Sequence, residues 1–187
     1  MNGGVIILAA GFARRFGSDK RRYRLPGGKT LLHATYSRYR AAFANVTVVV
    51  REEDQALIAE LGSPDTVIAQ DADLGMGHSL ASGVRAKNDW DYLFVALGDM
   101  PYVSADTLTA LERTLASASN GTIVVPVYRG RSGHPVGFTR AHYAELARLE
   151  GDNGARSVLA AAGKNIVKLT VDDEGVLRDL DQPVEPT

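Results

Sequence analysis

Apolar positions fall along this chain in short unbroken runs, separated by stretches whose apolar residues recur at helical spacing. Val5-Ile6-Ile7-Leu8, Val46-Thr47-Val48-Val49-Val50 and Tyr92-Leu93-Phe94-Val95-Ala96 show no polar alternation and are rich in β-branched or aromatic residues. Runs of this kind predict strands covered on both faces, as in parallel sheets. Leu32, Tyr36, Tyr39 and Phe43 keep helical spacing after the turn residues Leu25-Pro26-Gly27-Gly28-Lys29-Thr30 and predict a helix over 31–43. Further helices are predicted over 53–61, 79–87, 104–118 (with Ser104 as N-cap), 141–149 and 155–162, and shorter strands at 66–68 and 166–171. Segments 122–127 and 135–138 flank Arg129-Gly130-Arg131-Ser132-Gly133, which reads as a hairpin. Strands alternating with helices predict an α/β fold, a single-domain doubly wound, mostly parallel sheet over 1–187 with a β-hairpin insertion. No repeat or linker interrupts the pattern, and only the proline-bearing end after Gln182 reads as loose.

Composition narrows the picture without redirecting it. A chain of 187 residues with 45% hydrophobic and 23% charged content reads as globular. A net charge of −1 argues against a general nucleic-acid binder, although residues 14–24 form a local basic cluster. The absence of cysteine excludes disulfides and thiolate metal sites. No apolar run approaches the length of a membrane span or of a leader's apolar core. The expected setting is cytoplasmic, away from membrane and nucleic acid.

Candidate chemistry begins where the first run ends. Ala9, Ala10 and Gly11 carry little or no side chain, so their N–H groups can approach a phosphate or base closely. Arg14, Arg15 and Lys20 follow with charge for an anion. The other reading is a tight strand-to-helix turn with solvated arginines. Two better-known phosphate loops are excluded: Gly28-Lys29-Thr30 lacks the Walker A glycine, which would stand at Tyr23, and no G-x-G-x-x-G follows the first strand. Asp99, in Leu97-Gly98-Asp99-Met100-Pro101, follows the central run directly. A carboxylate there suits Mg²⁺, which takes one or two carboxylates plus phosphate oxygens, and it also suits a cap of the next turn. Gly75-Met76-Gly77-His78-Ser79-Leu80 opens a helix, with Ser79 or His78 near the N-cap, where N–H groups and the dipole favour an anion. His134 and Pro135 stand at a rigid strand entry, and His134 can hydrogen-bond a ligand or remain a surface residue. Asp152 or Asn153 can cap the helix that Arg156 enters, and a cation in a first turn opposes the dipole unless it faces an anion.

Leu8-Ala9-Ala10-Gly11 with Arg15, Gly17 and Lys20 resembles the signature of MobA-like nucleotidyltransferases, closest to the molybdenum cofactor cytidylyltransferase (MocA-like) group. The likeness extends over about residues 4 to 184 and includes Asp99-Met100-Pro101, Gly75–Leu80, Gly133–Phe138, Gly151–Arg156 and Asp179–Pro183. It implies a Rossmann-like nucleotidyltransferase fold that moves CMP from CTP to a phosphate monoester, molybdopterin-type cofactor foremost, with release of pyrophosphate. It further implies Arg15, Lys20 and Asp99 as the catalytic set, and Leu8, Ala9, Ala10, Gly11, Gln70, Gly77 and Ser79 around the nucleotide. Asp99 and Asp181, the latter ranked above Asp179, would hold Mg²⁺, and His134, Pro135, Asp152 and Arg156 would face the acceptor. Ala10 favours CTP among the NTPs, because the group pairs Leu-Ala-Gly-Gly with guanosine nucleotides instead. A molybdoenzyme is an implied partner. Alternatives are another NTP or phosphorylated acceptor, or a non-catalytic carrier of finished molybdenum cofactor. The sequence departs from the pattern at Gln182 and at Arg21-Arg22-Tyr23-Arg24, where relatives are more apolar; either that face is unusual or the acceptor is more anionic.

Overall fold

The computed structural model describes residues 1–11 and 19–180. Its strands are β1 (Gly3–Leu8), β2 (Val46–Val50), β3 (Asp65–Ile68), β4 (Tyr92–Leu97), β5 (Ile123–Tyr128), β6 (Arg131–Ser132), β7 (Val136–Thr139) and β8 (Ile166–Thr170). The helices are α1 (Leu31–Ala42), α2 (Gln55–Glu60), α3 (Met76–Ala86), α4 (Ala105–Ala116), α5 (Tyr143–Leu146) and α6 (Arg156–Ala162). One sheet runs β3-β2-β1-β4-β7-β5-β6, with β8 beside β5. β1 to β4 pair in parallel, and so do β5 and β8. β7 runs antiparallel between β4 and β5, the hairpin return expected from the Gly-Arg-Ser-Gly turn.

The unbroken apolar runs have the two-sided burial that their composition predicts. Every residue of β1 and β2 is buried. Val5, Ile7 and Ala9 face a cluster with Leu32 and Tyr39 of α1 and Leu108, Leu111 and Leu115 of α4. Ile6, Leu8 and Ala10 face the opposite layer, with Leu80 and Val84 of α3, Leu146 of α5 and Val158 of α6. Strand alternation thus sends consecutive aliphatics into two separate cores. Each fully buried Ile contributes roughly 1.5–3 kcal/mol. Gly83 lets α3 lie close on the sheet, because a Cβ there would meet Ile6 Cγ2 at 2.9 Å and Val49 Cγ2 at 3.0 Å.

The chain builds outward from β1 to β2 and β3, then returns through α3 to place β4 on the other side of β1. The order of strands therefore reverses between β1 and β4. Side chains and backbone at the carboxyl ends of two such strands border a common crevice, where open α/β sheets bind ligands. Ala9 and Asp99 lie at that reversal. Register brings Leu8 opposite Leu97, and the Gly98 N–H donates to the Leu8 carbonyl at 3.0 Å. Among the described residues no helix is long and apolar enough to cross a membrane.

Candidate active site

Asp99 leaves β4 after Gly98, whose lack of a side chain lets the two strand ends close up: a Cβ would stand 3.0 Å from the Leu8 carbonyl oxygen and 3.1 Å from Leu32 Cδ1. The alternative, a cap of the next turn, finds no support among the described residues, where no backbone N–H donates to the Asp99 carboxylate. α4 is capped by Ser104, whose hydroxyl accepts from the Thr107 N–H at 3.2 Å. Asp99 points instead to Lys20, whose Nζ donates to Oδ2 at 2.9 Å across 79 residues of sequence. The second oxygen, Oδ1, is buried with no hydrogen-bond partner among the described residues. A desolvated carboxylate oxygen left without a donor is costly, and a cation is the partner that satisfies it. Mg²⁺ characteristically takes one or two protein carboxylates and completes its shell with water and substrate phosphates. Asp99 fits such an ion as one ligand. No group of three or more His, Asp or Glu side chains suited to a metal occurs among the described residues, and Asp181 lies outside them.

A C-terminal segment lies across the same crevice. The Asp173 carboxylate accepts from the Ser104 and Gly175 N–H groups, at 2.8 and 2.9 Å. Gly175 and Gly133 are both glycine for contact: a Cβ on the first would stand 2.3 Å from the Tyr102 carbonyl oxygen, and on the second 2.2 Å from that of Val176. Val176 accepts the His134 N–H at 2.8 Å, and the Leu180 N–H donates to the Asp99 carbonyl at 3.1 Å. His134, preceding a cis peptide to the buried Pro135, thereby sits among Val95, Asp99 and Asp179. Burial lowers the imidazole's affinity for a proton, against the pull of the Val95 carbonyl and the Asp99 and Asp179 carboxylates, and the balance lies below the usual histidine value. Its Nδ1 is buried without a partner. His134 is an interior neighbour of Asp99, not the surface histidine that the sequence also allowed.

The glycine-rich helix opening departs from the sequence expectation in its details. α3 starts at Met76, with Gly75 as N-cap at φ 123°, a conformation that side-chain-bearing residues rarely adopt; neither His78 nor Ser79 caps it. The Gly77 N–H donates to the Gly151 carbonyl at 2.7 Å, and a Cβ at 77 would stand 2.6 Å from the Glu150 carbonyl oxygen. Gly77 is thus explained by the docking of the 150–152 loop. Asp152 Oδ1 lies 2.7 Å from where a Gly75 Cβ would sit, so the Gly-Met-Gly and Gly-Asp-Asn-Gly segments form one unit. Neither Asp152 nor Asn153 caps α6; its N-cap is Ala155, with no side-chain bond. Arg156, Asp152 and Gln70 are exposed, and Ser79 is buried in the first turns of α3. Leu8, Ala9 and Ala10 are buried at the end of β1 and Gly11 is exposed beyond it. Arg14, Arg15 and Gly17 lie outside the described residues.

The basic stretch after Lys20 is resolved into separate partnerships. Arg21 is buried and directs all five of its N–H donors at protein acceptors: Asp19 through Nε and Nη2 (2.8 and 2.9 Å), Asp54 through Nη1 and Nη2 (2.5 and 2.7 Å), and the Ala9 carbonyl through Nη1 (2.9 Å). Burial works against ionisation of Asp54, but hydrogen bonds from Arg21 and the Arg51 N–H outweigh it, so the carboxyl titrates below its ordinary 3.8. Arg22 pairs with Glu60 at 3.2 Å, and Arg24 donates to the Gly28 carbonyl at 2.8 Å. The expectation of a more anionic acceptor at 21–24 therefore has no support in this geometry. Nothing in the local sequence of Arg21 marks it as interior, because Asp54 stands 33 residues away.

The family model of the MobA-like NTP transferase domain matches residues 5–166. The purine catabolism protein PucB of Bacillus subtilis is 30% identical, over 96% of this chain and 92% of its own length. The bifunctional protein GlmU of a Mycobacterium strain is 31% identical over 73% of this chain, which spans only 29% of GlmU. Among solved structures, Rv0371c of Mycobacterium tuberculosis superposes with a TM-score of 0.80 at 30% identity, covering 97% of this chain and 94% of its own. Rv0371c has also been solved in complex with manganese; that structure has a TM-score of 0.73 at 28% identity, over 91% of this chain and 89% of its own.

Proposed function

The chain belongs to the MobA-like NTP transferase domain family, a family of nucleotidyltransferases, and from that premise we propose that it moves CMP from CTP to a phosphate monoester acceptor. Molybdopterin-type cofactor is the first acceptor to test, and pyrophosphate is the leaving group. The observation that carries the reading is the Lys20–Asp99 pair at the strand-order reversal, with a carboxylate oxygen left unpartnered.

In the reaction an acceptor phosphate oxygen bonds to the α-phosphorus of the NTP as the bond to the bridging oxygen of the β-phosphate breaks. The electron pair leaves with pyrophosphate. Asp99, joined by Asp181, would hold a divalent cation, which when bound offsets triphosphate charge. Mg²⁺ is the expected ion, and the manganese complex of Rv0371c supports a divalent site in a relative. Lys20, joined by Arg15, would set positive charge against the negative charge that develops on the α-phosphate and leaving group. The Ala9, Ala10 and Gly11 backbone, with Leu8 beneath it and Gln70, Gly77 and Ser79 alongside, would form the nucleotide wall. His134, Pro135, Asp152 and Arg156 would border the acceptor. No protein nucleophile is required, so positioning and charge supply most of the acceleration.

The test is pyrophosphate release by the purified protein with each NTP, Mg²⁺ or Mn²⁺ and a panel of phosphorylated acceptors. CTP with molybdopterin should give the fastest turnover. A different winning NTP or acceptor overturns the finer assignment and leaves nucleotidyl transfer standing. Cofactor binding that persists in Asp99→Asn, with no turnover in the wild type, would instead indicate a carrier that hands cofactor to a molybdoenzyme.

A further inference from the structure

Lys20 and Arg21 are neighbours in a single 3₁₀ turn, Lys20–Arg22, yet they are spent on opposite sides of it. Lys20 reaches Asp99, while Arg21 turns back under the sheet end. Its five bonds join three pieces of backbone. The Ala9 carbonyl marks the exit of β1, Asp19 caps the 3₁₀ turn, and Asp54 lies in the turn that follows β2. Asp54 is itself fixed by the Arg51 N–H at 2.9 Å. Both ends of the segment 10–19, which carries Gly11, Arg15 and Gly17, are thus tied to one guanidinium.

We propose that Arg21 is a positioning residue of the transfer reaction: by tying the exit of β1, Asp19 and the turn after β2 together, it sets where Lys20 meets Asp99. The inference rests on the nucleotidyl-transfer reading above and assigns a role outside the pocket itself. Only arginine has the rigid fork that two carboxylates and a carbonyl demand together; lysine keeps the charge and loses the directions. Displacing a reacting group by about 1 Å costs on the order of 100-fold in rate even when binding is kept. A clamp that acts through Lys20 has no remaining effect once Lys20 is gone, whereas independent contributions multiply.

The experiment compares wild type, Arg21→Lys, Asp54→Asn, Lys20→Met and the Lys20→Met/Arg21→Lys double variant. It reads kcat and KM for the preferred NTP, thermal unfolding, and labelling of the Lys20 amine by an amine-reactive reagent, followed by mass spectrometry. Arg21→Lys should lower kcat about 30- to 100-fold with KM changed less than about threefold. The double variant should be no slower than Lys20→Met, and Lys20 should label faster in Arg21→Lys than in wild type. Multiplying losses, or unchanged Lys20 labelling in a folded Arg21→Lys protein, overturn the proposal. Where Arg21→Lys does not fold, Asp54→Asn decides by the same kcat, KM and labelling criteria. Should the wild type release pyrophosphate from no NTP, nucleotidyl transfer fails as a reading, and the labelling alone decides the clamp.

Discussion

Two ion pairs one residue apart in sequence have opposite characters. Around Arg21 every donor is used, the Asp54 carboxylate is almost wholly buried, and nothing is left for a ligand. Around Asp99 one oxygen is bound by Lys20 and the other is bare, while the side chain keeps 30% of its exposure. A saturated network fixes backbone, because each of its members is held from several directions. An unsaturated one marks where a missing partner belongs, since a buried oxygen without a donor has paid desolvation without compensation. Charge density alone would have ranked the arginine cluster as the binding site; satisfaction of hydrogen bonds ranks the aspartate first.

The contrast can be broken most sharply at Asp99. Asp99→Asn should reduce pyrophosphate release by at least about 10³-fold, the scale on which a preorganised charge contributes to catalysis, while thermal unfolding moves by no more than a few degrees. A large loss of stability with modest loss of rate would place Asp99 with the structural pair instead. Arg21→Met should do the reverse to the fold. It strands Asp19 and Asp54 beside buried backbone at a cost of about 3–5 kcal/mol, or roughly 10 °C in Tm for a chain of this size. Calorimetry of the variant checks it.

Gly77→Ala should come next, at about 1–3 kcal/mol, because the new methyl has to displace the Glu150 carbonyl. If Gly77 lines the nucleotide as proposed, nucleotide binding should fall together with stability in that variant. Asp54→Asn sharpens the saturated side through pH. The Asp54 carboxyl titrates lower in the folded chain than its ordinary 3.8, so its contribution is complete above that value and disappears as pH falls through the folded one. The stability gap between wild type and Asp54→Asn, measured by chemical denaturation, should therefore be constant from pH 7 to 5 and close below pH 4. Smallest of all is the surface pair of Lys87 and Asp65, 2.6 Å apart with Asp65 half-exposed. Lys87→Met should cost less than about 1 kcal/mol, screened further by salt.

Much of this architecture is legible in the apolar pattern, for a physical reason. β1, β2 and β4 are covered on both sides, so their sequences carry no polar alternation, and β-branched residues suit the pleat. The position of Asp99 at a strand end also follows from local order, as does that of Lys20 in sequence after Gly11 and Gly17. Their meeting does not; it depends on β4 lying next to β1, which topology decides. Legibility fails where a residue's reason lies far away. The close packing of Gly77 on Glu150 and Gly151 leaves no trace in its own glycine-rich motif. Arg21 reads as one member of the basic cluster at 14–24 until Asp54 is brought under it. The helical pattern starts α3 at Ser79, three residues later than Met76, because a glycine at φ 123° leaves no side-chain signal of a cap.

The segment from Asp173 to Leu180 has a consequence for biosynthesis. Its glycine lies against Tyr102, its backbone receives His134, and its Leu180 N–H donates to the Asp99 carbonyl. While a ribosome is still adding these residues, every strand of the sheet can already have been made, but the wall beside Asp99 cannot. A nascent polypeptide interrupted before Asp173 would therefore be a scaffold without a workplace.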